Sequence, residues 1–194
     1  MLTIIRKDDF NMTKVGIIVG SLRKESVTRK LAENVAELFP SEYKTEFIDI
    51  GDLPLYNEDI DTEAGAPPEY DEFRSKLNEV DAVVFATPEY NRSMSGAMKN
   101  ALDVGSRPYG QSKWDGKPAL VMSQSPSNLS GFGANHHLRQ SLVFLNMHPL
   151  QQPEVYIANS FDLVDNDGKI NNEGTVEFLQ SAVDAFVELV KKFK

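Results

Sequence analysis

A strand–turn–helix pattern over residues 14–39 constrains the fold more than any other feature of the sequence. Val15–Gly20 is a short apolar run rich in β-branched residues, which is typical of a strand buried on both faces. After a polar turn, Leu31 and Val35 recur at helical spacing, and Pro40 predicts the end of that helix. A buried strand that leads into an amphipathic helix is typical of α/β proteins with a parallel sheet.

The turn between this strand and this helix is rich in hydroxyl groups and cations. Ser21, Arg23, Ser26 and Thr28 offer donors for one terminal phosphate, and the helix N-terminus adds backbone N–H groups. Neither G-x-x-x-x-G-K-[ST] nor G-x-G-x-x-G is present, so a triphosphate loop and a dinucleotide fingerprint are excluded. A second interpretation stays open: Ser26 only caps the helix, and Arg23 lies in solvent.

The alternation of strand and helix continues to the end of the chain. It predicts an α/β flavodoxin-like three-layer sandwich with a five-stranded parallel sheet of order 2-1-3-4-5. We expect one domain over residues 14–194, after an N-terminal extension over residues 1–13. The further predicted strands are 43–50, 82–86, 119–122 and 154–157, and the further helices are 69–78, 94–104, 134–146 and 173–193.

In such sheets, ligands lie outside the carboxyl ends of the strands, where the strand order reverses. The loops after strands one, three and four should therefore meet. In the loop after strand three, Pro88 directs the chain away from the sheet, Tyr90 offers an aromatic face, and Asn91 offers a donor and an acceptor. The loop after strand four, 123–133, has small residues whose backbone can lie against a planar ligand. For both loops, plain helix capping or a flexible surface loop remains an alternative.

Composition narrows the classes of function. The net charge of −9 argues against nucleic acids and anionic membranes as partners. The absence of cysteine excludes disulfides, Cys-ligated iron–sulfur clusters and thiol catalysis, and fits a cytoplasmic protein. His136 and His137 point about 100° apart on a helix, so packing or capping is expected rather than metal binding. We predict no catalytic side chain and no metal site.

Together, four segments resemble the NAD(P)H-dependent FMN reductase family, which includes bacterial quinone, chromate and azo-dye reductases. The resemblance covers the chain from Lys14 to Lys194, and the combination of the segments is more specific than any one of them. The four segments are Gly20–Ser26, Thr87–Asn91, Lys99–Asp103 and His137–Gln140.

The resemblance implies non-covalently bound FMN, NADPH or NADH as electron donor, and a small-molecule acceptor such as a quinone, an azo compound or a flavin. Both substrates would use one flavin face in turn. An electron-transfer flavodoxin without its own substrate and a scaffold that has lost its cofactor are the alternatives. The implied cofactor-binding residues are Ser21, Arg23, Ser26, Val27 and Thr28 at the phosphate, Pro88, Glu89, Tyr90 and Asn91 along the flavin, and Ser125 as a further contact.

The chain also departs from the family pattern. Val27 and Thr28 stand where the family usually has Phe and Asn. Gly133 stands where relatives carry an Arg that pairs across subunits with the Glu matching Glu154. The resemblance implies a homodimer, with a tetramer as the less favoured alternative.

The apolar residues of the segment 94–114 also predict a dimer contact. We expect Met98 and Leu102 to face the sheet, and Met94, Tyr109 and Trp114 to add to the apolar surface, with Trp114 also able to pack before strand four.

Overall fold

The computed structural model describes residues 12–194, so the predicted N-terminal extension lies largely outside the described residues. The first strand begins at Thr13. The strands are β1 Thr13–Val19, β2 Tyr43–Phe47, β3 Ala82–Pro88, β4 Pro118–Gln124, β5 His148–Pro149 and β6 Val155–Ile157; the helices are α1 Val27–Glu37, α2 Pro68–Asn78, α3 Gly96–Gly105, α4 Phe132–Phe144 and α5 Glu173–Lys191.

The strands form one parallel sheet in the order β2-β1-β3-β4-β5, and β6 also pairs with β4. This confirms the predicted flavodoxin-like order. The register places Val19 opposite Ala86 and Pro88 opposite Gln124. The carboxyl ends of β1, β3 and β4 therefore lie along one edge of the sheet, which we call the carboxyl edge.

The fifth strand consists of two short pieces rather than the single predicted strand over residues 154–157. His148 and Pro149 pair with the start of β4, and Val155–Ile157 pair with its end. Proline cannot donate to a strand ladder, so Pro149 and Pro153 interrupt the pairing between the two pieces.

Helices cover both faces of the sheet because its strands are apolar on both sides. Side chains such as Ile17 pack with α1 and α5, whereas side chains such as Ile18 pack with α2, α3 and α4. This alternation along β1 builds the predicted three-layer sandwich. The apolar spacing in the last helix predicts that Phe178 faces inward together with Leu179 and Ala182. This prediction is wrong for Phe178, which is 38% exposed, because Leu179 and Ala182 take the inward positions of α5.

Buried polar groups hold the long connection between β2 and α2. Asn100 accepts a hydrogen bond from the Tyr56 N–H at 2.8 Å. The Arg74 guanidinium binds both carboxylate oxygens of Asp61, at 2.9 and 2.6 Å, and donates through Nε to the Val104 carbonyl at 3.0 Å. The Arg74 and Asp61 side chains are only 7% and 4% exposed, so this ion pair is a buried one.

The predicted apolar surface of the segment 94–114 is mostly covered within the subunit. Met98 and Leu102 face the sheet as predicted, and Trp114 is buried, as its predicted packing before strand four requires. Met94 is buried as well, which corrects the expectation that it adds to an exposed surface. Trp114 packs and donates to the Leu102 carbonyl at 3.0 Å. Only Tyr109, at 92% exposure, remains uncovered from this set.

Helix α4 adds apolar surface that the sequence pattern did not predict. Phe144 is 89% exposed and Val143 is 66% exposed. Phe144 and Tyr109 line a groove of about 1410 Å³ between α3 and α4, together with charged residues such as Arg107 and Asp103. None of the helices within residues 12–194 is both long and apolar enough to cross a membrane.

Candidate functional site

The structure brings the three predicted loops together at the carboxyl edge. The Gly20 N–H at the end of β1 donates to the Ala86 carbonyl of β3 at 2.8 Å. A Cβ atom on Gly20 would lie 2.8 Å from the Ser95 hydroxyl oxygen, so the turn after β1 leaves the sheet directly against the start of α3. The pairing of Pro88 with Gln124 places the loop after β4 beside the loop after β3.

The turn before α1 offers several unused hydrogen-bond donors. Ser26 is the N-cap of α1, and its Oγ accepts the Arg29 N–H at 3.1 Å. The N–H groups of Val27 and Thr28 have no acceptor within the helix, because the first N–H groups of any α-helix lack one. They lie where the helix dipole favours an anion. Arg23 is exposed, so the capping interpretation and the phosphate interpretation describe the same geometry and do not exclude each other.

Thr28 is also tied to the other side of the carboxyl edge. Its Oγ1 accepts a hydrogen bond from Gln124 Nε2 at 2.7 Å, and Gln124 Oε1 accepts one from the Ser160 hydroxyl at 2.5 Å. Gln124 and Ser160 are not among the site residues predicted from the sequence. A polar residue at the end of a buried strand was the available signal for Gln124, whereas Ser160 follows β6 without any local motif.

The loop after β3 forms a tight hairpin turn. Tyr90 and Ser93 exchange backbone hydrogen bonds at 2.9 and 3.0 Å, and Asn91 and Arg92 between them have φ angles of 51° and 67°. Two central residues with positive φ are typical of a type I′ turn. Arginine rarely adopts this conformation, and such backbone strain is often found at functional sites. The turn exposes the Tyr90 ring, at 47%, and the Asn91 amide beside the carboxyl edge.

Glu89 lies in the same loop, but its carboxylate makes contacts within the protein. The side chain is 7% exposed, and it accepts hydrogen bonds from the Ala134 N–H at 3.2 Å and from Arg92 Nη1 at 3.1 Å. Glu89 therefore caps the first turn of α4 and joins that helix to the hairpin. A Cβ atom on Gly133 would collide with the Arg92 carbonyl, so the hairpin can approach α4 this closely only because residue 133 is glycine.

The loop after β4 is anchored by hydrogen bonds at Ser125, whereas residues 126–129 are exposed. Ser125 is buried, its N–H donates to the Ile157 carbonyl at 3.0 Å, and its Oγ lies 3.0 Å from Ser127 Oγ. Ser130 and Gly131 have φ angles of 57° and 74°, which turn the chain into α4. Backbone hydrogen bonds thus hold Ser125, which is predicted to contact the flavin, at the carboxyl edge.

The histidines pack or form hydrogen bonds, as predicted. The His136 ring lies 4.2 Å from the Phe132 ring, and its Nε2 is 3.0 Å from the Tyr156 hydroxyl. Burial and the nearby Glu154 raise the pKa of Tyr156 to about 12. His137 Nδ1 lies 2.9 Å from Ser93 Oγ in the hairpin. Within residues 12–194, no three His, Asp or Glu side chains are grouped so as to hold a metal ion.

The donors at the carboxyl edge fit FMN. Hydroxyl groups, free N–H groups and one guanidinium lie in the turn before α1, and a phosphate monoester dianion requires donors of this kind. The exposed aromatic ring of Tyr90 and the polar amide of Asn91 lie on the loop after β3, at the same edge of the sheet. In open α/β sheets, this edge at the reversal of strand order is the usual place for a nucleotide.

The fold and this edge define a flavodoxin-like flavin oxidoreductase, and comparison with known proteins identifies the family. Residues 13–162 match the family of NADPH-dependent FMN reductases, and the chain belongs to that family. The predicted fold, the enzyme class, and FMN with a nicotinamide donor as cofactors are thereby confirmed.

Several named proteins are similar to this chain along most of its length. A quinone reductase of Pseudomonas putida is 56% identical over 178 residues, which is 91% of this chain and 94% of that protein. An NAD(P)H-dependent FMN reductase of Pseudomonas aeruginosa is 39% identical and aligns with 93% of this chain and 97% of its own length. The flavoenzyme NAD(P)H:(acceptor) oxidoreductase of Paracoccus denitrificans superposes with a TM-score of 0.87 at 38% identity, over 94% of this chain and 99% of that structure.

Proposed function

We propose that the protein is an FMN-dependent NAD(P)H oxidoreductase that passes electrons from the nicotinamide to a small-molecule acceptor, with quinones as the first class to test. The convergence of the donor-rich turn before α1 with the Tyr90 hairpin at one sheet edge carries this proposal. The 56% identity to a quinone reductase supports quinones as the acceptor class.

We assign the site residues as follows. Arg23 pairs with the phosphate dianion, while the Ser21 and Ser26 hydroxyls and the N–H groups of Val27 and Thr28 donate to its oxygens. The loop after β3 lies along the flavin, and the loop after β4 adds one further contact to it. The residues of these two loops are Pro88, Glu89, Tyr90 and Asn91 after β3, and Ser125 after β4.

The protein's own residues bind and orient the reactants. FMN, when bound, supplies the hydride and electron chemistry, and no catalytic side chain is assigned. The type I′ turn holds Tyr90 and Asn91 in one position, and Glu89 fixes that turn against α4. Because the Tyr90 ring is partly exposed, the site is open to solvent, so nicotinamide and acceptor can use it one after the other.

Stopped-flow spectroscopy of the FMN-loaded protein tests this function. NADH and NADPH are mixed separately with the protein, and the flavin absorbance is followed before quinones, azo dyes and free flavin are added as acceptors. We expect rapid two-electron reduction by at least one nicotinamide and fast reoxidation by a quinone. Slow reduction by both nicotinamides, with a stable one-electron form under chemical reduction, would support the flavodoxin alternative instead.

We also propose that the protein is a cytoplasmic homodimer with residues 14–194 as one domain. The exposed Tyr109 and Phe144, which line the groove between α3 and α4, support a contact between two copies, since large exposed apolar side chains often mark interfaces. Gly133 brings no charge to pair with Glu154, which argues against a tetramer built on that ion pair.

A further inference from the structure

A buried chain of hydrogen bonds lies behind the proposed phosphate turn. Ser160 Oγ donates to Gln124 Oε1, and Gln124 Nε2 donates to Thr28 Oγ1. The three side chains are 0%, 7% and 2% exposed, respectively. They belong to the segment after β6, the last residue of β4 and the first turn of α1, so the chain joins three separate parts of the fold.

The chemistry of the amide gives this chain a direction. In the structure the amide oxygen of Gln124 faces Ser160 and its nitrogen faces Thr28. Since an amide oxygen only accepts and an amide nitrogen only donates, Ser160 is the donor to Gln124 in this orientation, and Thr28 is the acceptor from it. The proton of the Thr28 hydroxyl is then left over. Within residues 12–194, no acceptor takes it. The N–H of the same residue is also free, because Thr28 is the second residue of α1.

We propose that Gln124, oriented by Ser160, is a positioning residue that fixes the Thr28 hydroxyl as a donor to the phosphate of FMN; this rests on the proposed function. A phosphate dianion has only acceptor atoms, so it requires a hydroxyl whose proton points towards it. If the amide were turned round, Thr28 would donate to Gln124 and present a lone pair to the dianion. The arrangement therefore favours FMN over riboflavin, which has the same ring and ribityl chain but no phosphate.

Equilibrium titrations of the apoprotein with FMN and with riboflavin, followed by flavin fluorescence, test this role. The variant Gln124→Met keeps the length of the side chain and removes the amide. We expect its Kd for FMN to rise about tenfold and its Kd for riboflavin to stay within about twofold, because the Thr28 hydroxyl is no longer held with its proton towards the phosphate and its hydrogen bond to that charged group is weakened. An equal loss for both flavins, or no loss for FMN, would overturn the role of Gln124.

A double-mutant cycle separates positioning from a structural effect. Thr28→Val removes the hydroxyl, so adding Gln124→Met to it should cost no further FMN affinity. A further loss of FMN affinity in the double variant would show that Gln124 acts by another route. Gln180→Met is the matched control: this glutamine bonds to the Leu38 carbonyl and to Asp184 on α5, so both flavins should bind as in the unaltered protein.

Two further measurements concern Gln124→Met if it does not fold, and the flavin preference of the unaltered protein. If Gln124→Met does not fold by circular dichroism, Ser160→Ala replaces it, and a loss of affinity confined to FMN is expected because the amide is no longer oriented. A Ser160→Ala protein with unchanged FMN affinity then contradicts the inference. If the unaltered protein binds FMN and riboflavin equally well, the proposed phosphate turn itself is wrong. If the unaltered protein prefers FMN, and Gln124→Met and Ser160→Ala keep the same preference, only the role of Gln124 is overturned.

Discussion

At the scale of single residues, the carboxyl edge divides its polar side chains into two groups. Arg23 and Asn91 are exposed and free to contact a ligand, whereas Glu89 and Gln124 are already hydrogen-bonded within the protein. Substitutions in the first group should change the affinity for the ligand and have little effect on the stability of the fold. The second group should change both, because a buried polar group that loses its partner also destabilises the fold.

Arg23 belongs to the first group. We expect Arg23→Ala to weaken FMN binding about ten- to a hundredfold, because a charge-assisted hydrogen bond to the phosphate is lost. Titration of the apoprotein with FMN measures the affinity. The thermal unfolding temperature of the apoprotein should be unchanged. Lys24→Ala, at the neighbouring exposed cation, is the control for general loss of positive charge. Equal effects of the two substitutions would contradict a specific contact by Arg23.

Glu89 belongs to the second group. We expect Glu89→Ala to lower the stability of the apoprotein by about 1–2 kcal/mol, the usual cost of a lost helix cap, and to weaken FMN binding as the hairpin loosens. Glu89→Gln retains an oxygen that can accept the Ala134 N–H, so it should recover most of both properties. Urea unfolding and FMN titration measure the two effects. Normal FMN affinity in the alanine variant would separate the hairpin from the flavin site.

Tyr156 makes the stability of the folded protein fall as the pH rises above about 10. Its folded-state pKa is raised from 10.0 to about 12, mainly by burial, so its neutral form is favoured in the folded protein. This contribution is fully present below pH 10 and is lost as the pH rises towards 12. We therefore expect Tyr156→Phe to lose less stability between pH 9 and pH 11 than the unaltered protein, by urea unfolding. Tyr109→Phe, at a 92% exposed tyrosine, should behave like the unaltered protein.

At the scale of elements, one buried ion pair holds the long connection between β2 and α2. The Arg74 guanidinium binds Asp61, which lies in this connection, and also the Val104 carbonyl near the end of α3. Both charged side chains are almost fully buried. Burial of two charges is costly, but removal of one partner leaves the other charge buried alone. The pair therefore fixes where the connection lies more than it adds net stability.

Arg74→Met should destabilise the protein by about 3–5 kcal/mol, because Asp61 is left without a partner in the interior. Urea unfolding measures the change. Lys76→Met is the control on the same helix: Lys76 forms an exposed pair with Glu72, so its loss should cost about 0.5 kcal/mol or less. Comparable costs for the two variants would show that burial of the Arg74–Asp61 pair has no special effect.

At the scale of the whole molecule, two of the most exposed aromatic side chains, Tyr109 and Phe144, line the groove between α3 and α4. That groove begins beside the Tyr90 hairpin, since Ser93 and His137 both line it and contact each other. A second copy of the chain bound there would lie next to the proposed flavin site. Assembly and flavin binding should then support each other.

Light scattering of the FMN-loaded protein at micromolar concentration should give about twice the chain mass of 21.7 kDa. Phe144→Glu should shift the mass to that of one chain, because it places a charge in the contact. Phe178→Glu is the control, on α5 at the opposite face of the sheet. A single-chain mass for the unaltered protein, or an unchanged mass for the Phe144 variant, would contradict this contact.

Local patterns in the sequence were sufficient to predict the architecture, and they also indicate the edge of the sheet at which we propose the site. Apolar runs such as Val15–Gly20 and 82–86 show which segments are buried on both faces, and their alternation with amphipathic helices requires a covered parallel sheet. The carboxyl edge follows from that topology. The turn before α1 and the Tyr90 loop were found as motifs because their residues are adjacent along the chain.

Only the tertiary structure decided which polar groups meet. Thr28 and Gln124 are 96 positions apart, and Glu89 and Ala134 are 45 apart, yet each pair shares a hydrogen bond. Hydrophobic periodicity encodes which face of an element is buried, but it does not encode which distant donor and acceptor are brought within hydrogen-bond distance. For the same reason, the burial of Met94 and the exposure of Phe144 became clear only once the helices were packed on the sheet.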